Sequence, residues 1–156
     1  MASRVSRYSA PGDSPGFLLW KVSNQWQRAQ RAALKPFELT HGQFVLLANL
    51  WWLQEHSEVV TQNDLAHHAE IDVMMTSDLV RKLEERGLMR RTEHPHDSRA
   101  RSIRLTAAGK RLVGEVVPVV ENVDQTFFEG LGAEAATFGA LLRRLGNVAA
   151  IEAPGD

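Results

Sequence analysis

The sequence predicts a mainly helical (α+β) fold in the order four helices, a β-hairpin, two further helices. Three observations predict it. Apolar residues recur at three- and four-residue steps over most of the chain. Residues that cap helix N-termini stand at Thr40, Thr61, Asp72 and Thr106. Two short extended segments flank a polar loop holding Pro95 and Asp97.

Residues 1–14, rich in Ser, Pro and Gly, read as a flexible lead-in. The first helix covers about 17–34, on the spacing of Phe17, Trp20, Val22, Trp26, Ala29 and Ala33, and Pro36 ends it. Thr40-His41-Gly42-Gln43 is a capping box, and the helix after it is expected to bury Phe44, Leu47, Ala48 and Trp51. Thr61-Gln62-Asn63-Asp64 opens a short helix to Ala69. A turn at Glu70 and Ile71 leads to Asp72, which caps a fourth helix running to Arg86 with Gly87 at its C-terminus. Residues 88–93 and 102–105 form the hairpin. Thr106 caps a long helix to about Phe128, bent at Pro118. Gly130 and Gly132 mark a turn, and 133–149 is a last helix rich in Ala and Leu.

A chain of 156 residues, 44% hydrophobic and 24% charged, has the length and composition of one folded soluble domain, or of a small domain with extra elements. The longest apolar run, 44–53 with Asn49 inside it, is far short of the roughly 18 residues of a membrane span. No apolar stretch of signal-peptide form follows the N-terminal arginines, so a cytoplasmic location is expected. With no cysteine, disulfides, thiol nucleophiles and thiolate metal sites are excluded.

Charge is segregated along the chain. Residues 1–78 carry −2, residues 112–156 carry −5, and residues 79–111 hold 10 Lys/Arg against 4 Asp/Glu, a local +6. Such a block in an otherwise acidic chain is a footprint for a polyanion.

Two short helices joined by a brief turn, then a basic hairpin, describe a helix-turn-helix with a wing. At about 100° per residue, Thr76, Leu79, Val80 and Leu83 share the packing face of the second helix. Met74, Ser77, Asp78 and Arg81 lie opposite, towards the helix end that a recognition helix offers to base edges. Met75 and Lys82 complete this candidate reading edge. A carboxylate at Asp78 suits cytosine N4, and Met suits a thymine methyl. In the hairpin, Arg99 at the loop tip suits a narrow minor groove. Asp97 is placed to accept from Arg99, Arg101 or turn amides. Arg90, Arg91 and Arg104 are candidate phosphate contacts.

Five pieces stand in one order: Leu39-Thr40-His41-Gly42-Gln43-Phe44; Thr61-Gln62-Asn63-Asp64-Leu65-Ala66; Leu79-Val80-Arg81-Lys82-Leu83-Glu84-Glu85-Arg86-Gly87-Leu88; Asp97-Ser98-Arg99; and Leu105-Thr106-Ala107-Ala108-Gly109. Together they resemble the MarR family of winged helix-turn-helix transcriptional regulators, over about residues 15–150. The resemblance implies a homodimer with interlocking N- and C-terminal helices, binding a pseudo-palindromic double-stranded operator. It also implies relief of binding by a small, often aromatic or anionic, effector. The chain departs from the family pattern at Asp78, where a basic residue is usual, and in the apolar start Val73-Met74-Met75.

The expected division is therefore 39–105 as the DNA-binding winged helix-turn-helix and 15–38 with 106–150 as a helical dimerisation region. The apolar residues Phe17, Leu18, Val113, Val116, Val117, Val120, Phe127, Phe128, Leu141, Leu142 and Leu145 exceed what a monomer of this size is expected to cover and point to an isologous dimer. Trp20, Trp51 and Trp52 are candidates for an effector pocket. His67-His68 and His94-x-His96 lack the spacing of a zinc site, and no metal or other cofactor is expected. No nucleophile–base pair or Gly-rich phosphate loop suggests an enzyme. A winged-helix module for protein interaction, suggested by Asp78 and the two Met residues, is the rival to a DNA-binding repressor.

Overall fold

The computed structural model describes residues 5–97 and 101–146. Its helices are α1 (Pro15–Leu34), α2 (His41–His56), α3 (Gln62–Ala69), α4 (Val73–Glu85), α5 (Ala107–Phe128) and α6 (Ala135–Gly146), and its hairpin strands β1 (Met89–Glu93) and β2 (Arg101–Leu105) lie between α4 and α5. The strands pair antiparallel, Met89 opposite Leu105 and Glu93 opposite Arg101. This is the winged helix-turn-helix architecture with flanking helices.

The expected caps form. Thr40 and Gln43 close a reciprocal capping box on α2, Thr61 and Asp64 do so on α3, and Thr106 accepts from the Gly109 N–H on α5. At the end of α4, Gly87 takes φ +68°, which lets its N–H reach Glu84 O and the Leu88 N–H reach Leu83 O. α3 ends on the same bond pattern with Glu70 at φ +51°, a turn that no glycine announces. The final helix starts later than expected. A 3₁₀ run, Glu129–Glu134, precedes it and contains the kink at Gly132.

The core lies where α2 meets α1, α3, α4, α5 and β2. It joins Leu34, Leu46, Leu47, Leu50, Leu65, Val80, Leu83, Ile103 and Val116 among others. One expectation is corrected here. α2 buries Gln43, Phe44, Leu46, Leu47 and Leu50, whereas Trp51 is 43% exposed. A helix packed on several sides has no single buried stripe, so wheel arithmetic misplaces its last apolar turn.

A second correction concerns α5. Val113, Val116 and Val120 are buried within their own chain, so they do not belong to a surplus apolar surface. The surface that remains is at the ends: Phe17, Leu18, Leu19, Trp20 and Val22 on α1, and Leu141, Leu142 and Leu145 on α6, are all exposed, and no residue of α6 is buried. No described helix is long and apolar enough to cross a membrane.

Candidate nucleic-acid interface

The helix-turn-helix is α3 and α4. Thr76, Val80 and Leu83 are buried and Leu79 is half-buried, which turns the other side of α4 to solvent as the wheel predicts. On that side stand Met74, Met75, Arg81 and Lys82, exposed, with Ser77 and Asp78 half-exposed. Asp72 caps the helix by accepting from the Met74 and Met75 N–H groups at 2.9 and 3.1 Å.

Charge on α4 is paired internally. Asp78 Oδ1 accepts from Arg81 Nη2 at 2.6 Å, and its Oδ2 lies 2.8 Å from Lys82 Nζ. Arg81 Nη1 reaches Glu85 Oε1 at 2.8 Å. The hydrogen bonds from Lys82 and then Arg81 hold the Asp78 carboxyl below the usual carboxylate range, and Asp78 with Glu85 raises the Arg81 guanidinium. These pairs are exposed, so they can exchange for phosphate oxygens with little loss.

The wing is anchored to α4 and α3 by a group the sequence placed on phosphate. Arg91 on β1 donates from Nη1 to Glu84 Oε2 at 2.6 Å and from Nη2 to Gln62 Oε1 at 3.2 Å, and its backbone N–H donates to Glu84 Oε1 at 3.0 Å. Its side chain is only 30% exposed. Arg104 reaches back to Glu58 O at 3.0 Å. Arg90 and Arg101 are exposed on the strands, and Asp97 is exposed in the loop. Arg99 lies outside the described residues.

Further ties were not legible in sequence. The Ile103 N–H donates to Val60 O at 2.8 Å and Thr61 bridges Ser102, so the segment entering α3 adds a short edge to the hairpin. Gln54 Oε1 on α2 accepts from the Leu105 N–H at 3.0 Å. Arg86 donates to the Glu38 and Phe37 carbonyls beyond the end of α1. None of these partners has a helical or strand spacing; only the fold brings them together.

This layout sets an exposed helix edge beside a two-stranded basic wing, both fixed to one core. The sequence profile described as the MarR family matches residues 39–100. The HTH-type transcriptional regulator YdcH of Bacillus subtilis is 44% identical over 79% of this chain and 84% of its own length. The chain belongs to the MarR family. The HTH-type transcriptional repressor Rv2887 of Mycobacterium tuberculosis is 31% identical over 86% of this chain and 96% of its own. Among solved structures, Bordetella bronchiseptica BpsR, described with regulation of its DNA binding by 6-hydroxynicotinic acid, superposes with a TM-score of 0.81 at 26% identity, covering 92% of this chain and all of that one. This MarR-family chain is thus a DNA-binding transcriptional regulator.

The three tryptophans considered for an effector do not converge. Trp20 is 65% exposed on the first turns of α1, stacked on Phe17. Trp52 lies between the His56 and His68 rings, centroids at 4.0 and 4.8 Å. Trp51 lines an apolar groove of about 200 Å³ between α2 and α5, with Lys110, Val113 and Val117. A fourth, Trp26, has a structural part: its Nε1–H and the Gln30 Nε2–H both donate to Asp124 Oδ1 at 2.7 Å, tying α1 to α5. Its ring also meets the edge of His41 on α2, centroids 5.1 Å apart.

Proposed function

We propose that this chain is a homodimeric, ligand-responsive repressor that binds a pseudo-palindromic operator through residues 39–105. Residues 15–38 and 106–150 would form the dimer. The observation that carries this reading is the exposed edge of α4 (Met74, Met75, Ser77, Asp78, Arg81, Lys82) beside a wing that presents Arg90 and Arg101. The wing tip at Arg99 would enter the minor groove, with Asp97 holding the loop and Arg104 near the backbone. Repression is supported by the likeness to Rv2887, and a dimer by the uncovered apolar ends of α1 and α6. A two-fold dimer sets two recognition helices about 34 Å apart, one DNA turn.

An effector is supported by the likeness to BpsR, and the Trp51–Lys110 groove suits an aromatic anion, ring on the indole and carboxylate on the ammonium. Such a ligand would act by favouring a conformer with wrongly spaced wings. A mobility-shift titration on DNA from upstream of the chain's own gene tests the reading. Binding whose log affinity falls with log salt at a slope of about −5, as about six phosphate contacts require, supports it. Arg99→Ala should weaken it by roughly 1–3 kcal/mol. Absent or salt-insensitive binding favours the interaction module instead, and a monomer by light scattering removes the dimer.

A further inference from the structure

We propose that α4 discriminates bases through thymine C5-methyl groups, contacted by Met74 and Met75, and that Asp78 reads no base but serves as counter-ion to Arg81 and Lys82. This rests on the reading of α4 as the helix that enters the major groove.

Three consecutive apolar side chains open α4, and all face solvent: Val73 is 52% exposed, Met74 82% and Met75 60%. Nothing in their own chain repays that exposure, which is the pattern of a contact surface. Asp72, Thr76 and Asp78 beside them are already engaged. Asp72 takes the Met74 and Met75 N–H groups, so these two backbone donors are satisfied and a carboxylate disfavours phosphate at this helix end. The buried Thr76 hydroxyl donates to Ile71 O. Asp78 already accepts from Arg81 at one oxygen and from Lys82 at the other, so a cytosine amino group would compete with two cations for its charge. The apolar feature of a base edge in the major groove is the thymine methyl. A flexible, polarizable thioether chain is suited to it. Exposed cations at Arg81, Lys82, Arg90 and Arg101 flank the tip and would hold the duplex while the methionines select among sequences.

The test selects tight-binding duplexes from a random-sequence library with the full chain, then remakes the best one with deoxyuridine replacing each thymidine in turn. We expect about a fourfold loss at one or two positions per half-site, the worth of one buried methyl group. Met74→Ala or Met75→Ala should abolish the penalty at its own position, with the fold intact by circular dichroism. Restoring the methyl as 5-methylcytosine opposite guanine should recover part of the affinity relative to unmodified cytosine there. Asp78→Asn should leave the preferred bases unchanged. Equal affinity for thymidine and deoxyuridine duplexes overturns the proposal, as does a cytosine preference lost in Asp78→Asn. Failure to enrich any sequence at all would instead sink the DNA-reading role of α4, and this proposal with it.

Discussion

Glu84 on α4 accepts twice from Arg91 on β1, from the guanidinium at 2.6 Å and from the backbone N–H at 3.0 Å. α4 and the wing are thereby tied directly to each other through this one carboxylate. Arg91→Ala should therefore lower stability, by about 1–2 kcal/mol in urea unfolding, as well as weaken DNA binding. Glu84→Ala should give a similar loss. If Arg91→Ala reduced affinity with an unchanged urea midpoint, Arg91 would be a phosphate contact alone.

Arg90 and Arg101 are predicted to behave in the opposite way. Each lies exposed on the wing, so alanine there should leave the urea midpoint unchanged. The magnitude of the salt slope of DNA binding should fall by about 0.9 for each phosphate contact removed, equally for all sequences. An unaltered slope would take that arginine out of the interface.

Asp124 joins α1 to α5 by accepting from Trp26 and from Gln30, which is fully buried. Asp124→Ala leaves both donors unpaired and should cost about 1–3 kcal/mol in thermal or urea unfolding. Asp124→Asn keeps an acceptor oxygen and should cost less. Equal losses in the two variants would show that charge, not hydrogen bonding, is what matters there.

His41 opens α2 against Trp26. Burial, and next the positive charge of Arg31, lower its pKa, while Asp124 opposes the shift. The unfolded chain then takes up this proton at a higher pH than the folded one, so stability falls as pH drops below the ordinary value near 6.5. It levels off below the folded-state pKa. Urea midpoints at pH 7.5 and 5.5 should differ in that direction, and the difference should shrink in His41→Gln. A variant with the full difference would assign it to other groups.

Gly109 packs the first turn of α5 against the chain entering the hairpin at Leu88. A Cβ there would overlap the Leu88 carbonyl oxygen, and backbone cannot step aside as a flexible side chain can. Gly109→Ala should destabilise by about 1–3 kcal/mol, the usual range for overpacking, and disturb the start of the wing. A midpoint within error of the unsubstituted chain would show that α5 can shift freely.

The local grammar of the chain was enough for element order. Thr40, Thr61, Asp72 and Thr106 name helix starts because a capping side chain bonds within three residues of itself, and Gly87 names an end because only its own φ is at issue. The facing of α4 was legible too, since one side of it is packed and the other open. The all-round burial of α2 and the exposure of Trp51 were not, because they depend on how many neighbours surround the helix. Arg91 and Asp78 carry the same lesson for the site. Counting charges along the chain located a basic region, but Glu84, Gln62, Arg81 and Lys82 decided which charges stay available. Periodicity and capping act over one or two turns and are written in residue order. The partner of a long charged side chain is set by whatever the fold brings within about 3 Å of its tip, and only the assembled core fixes that distance.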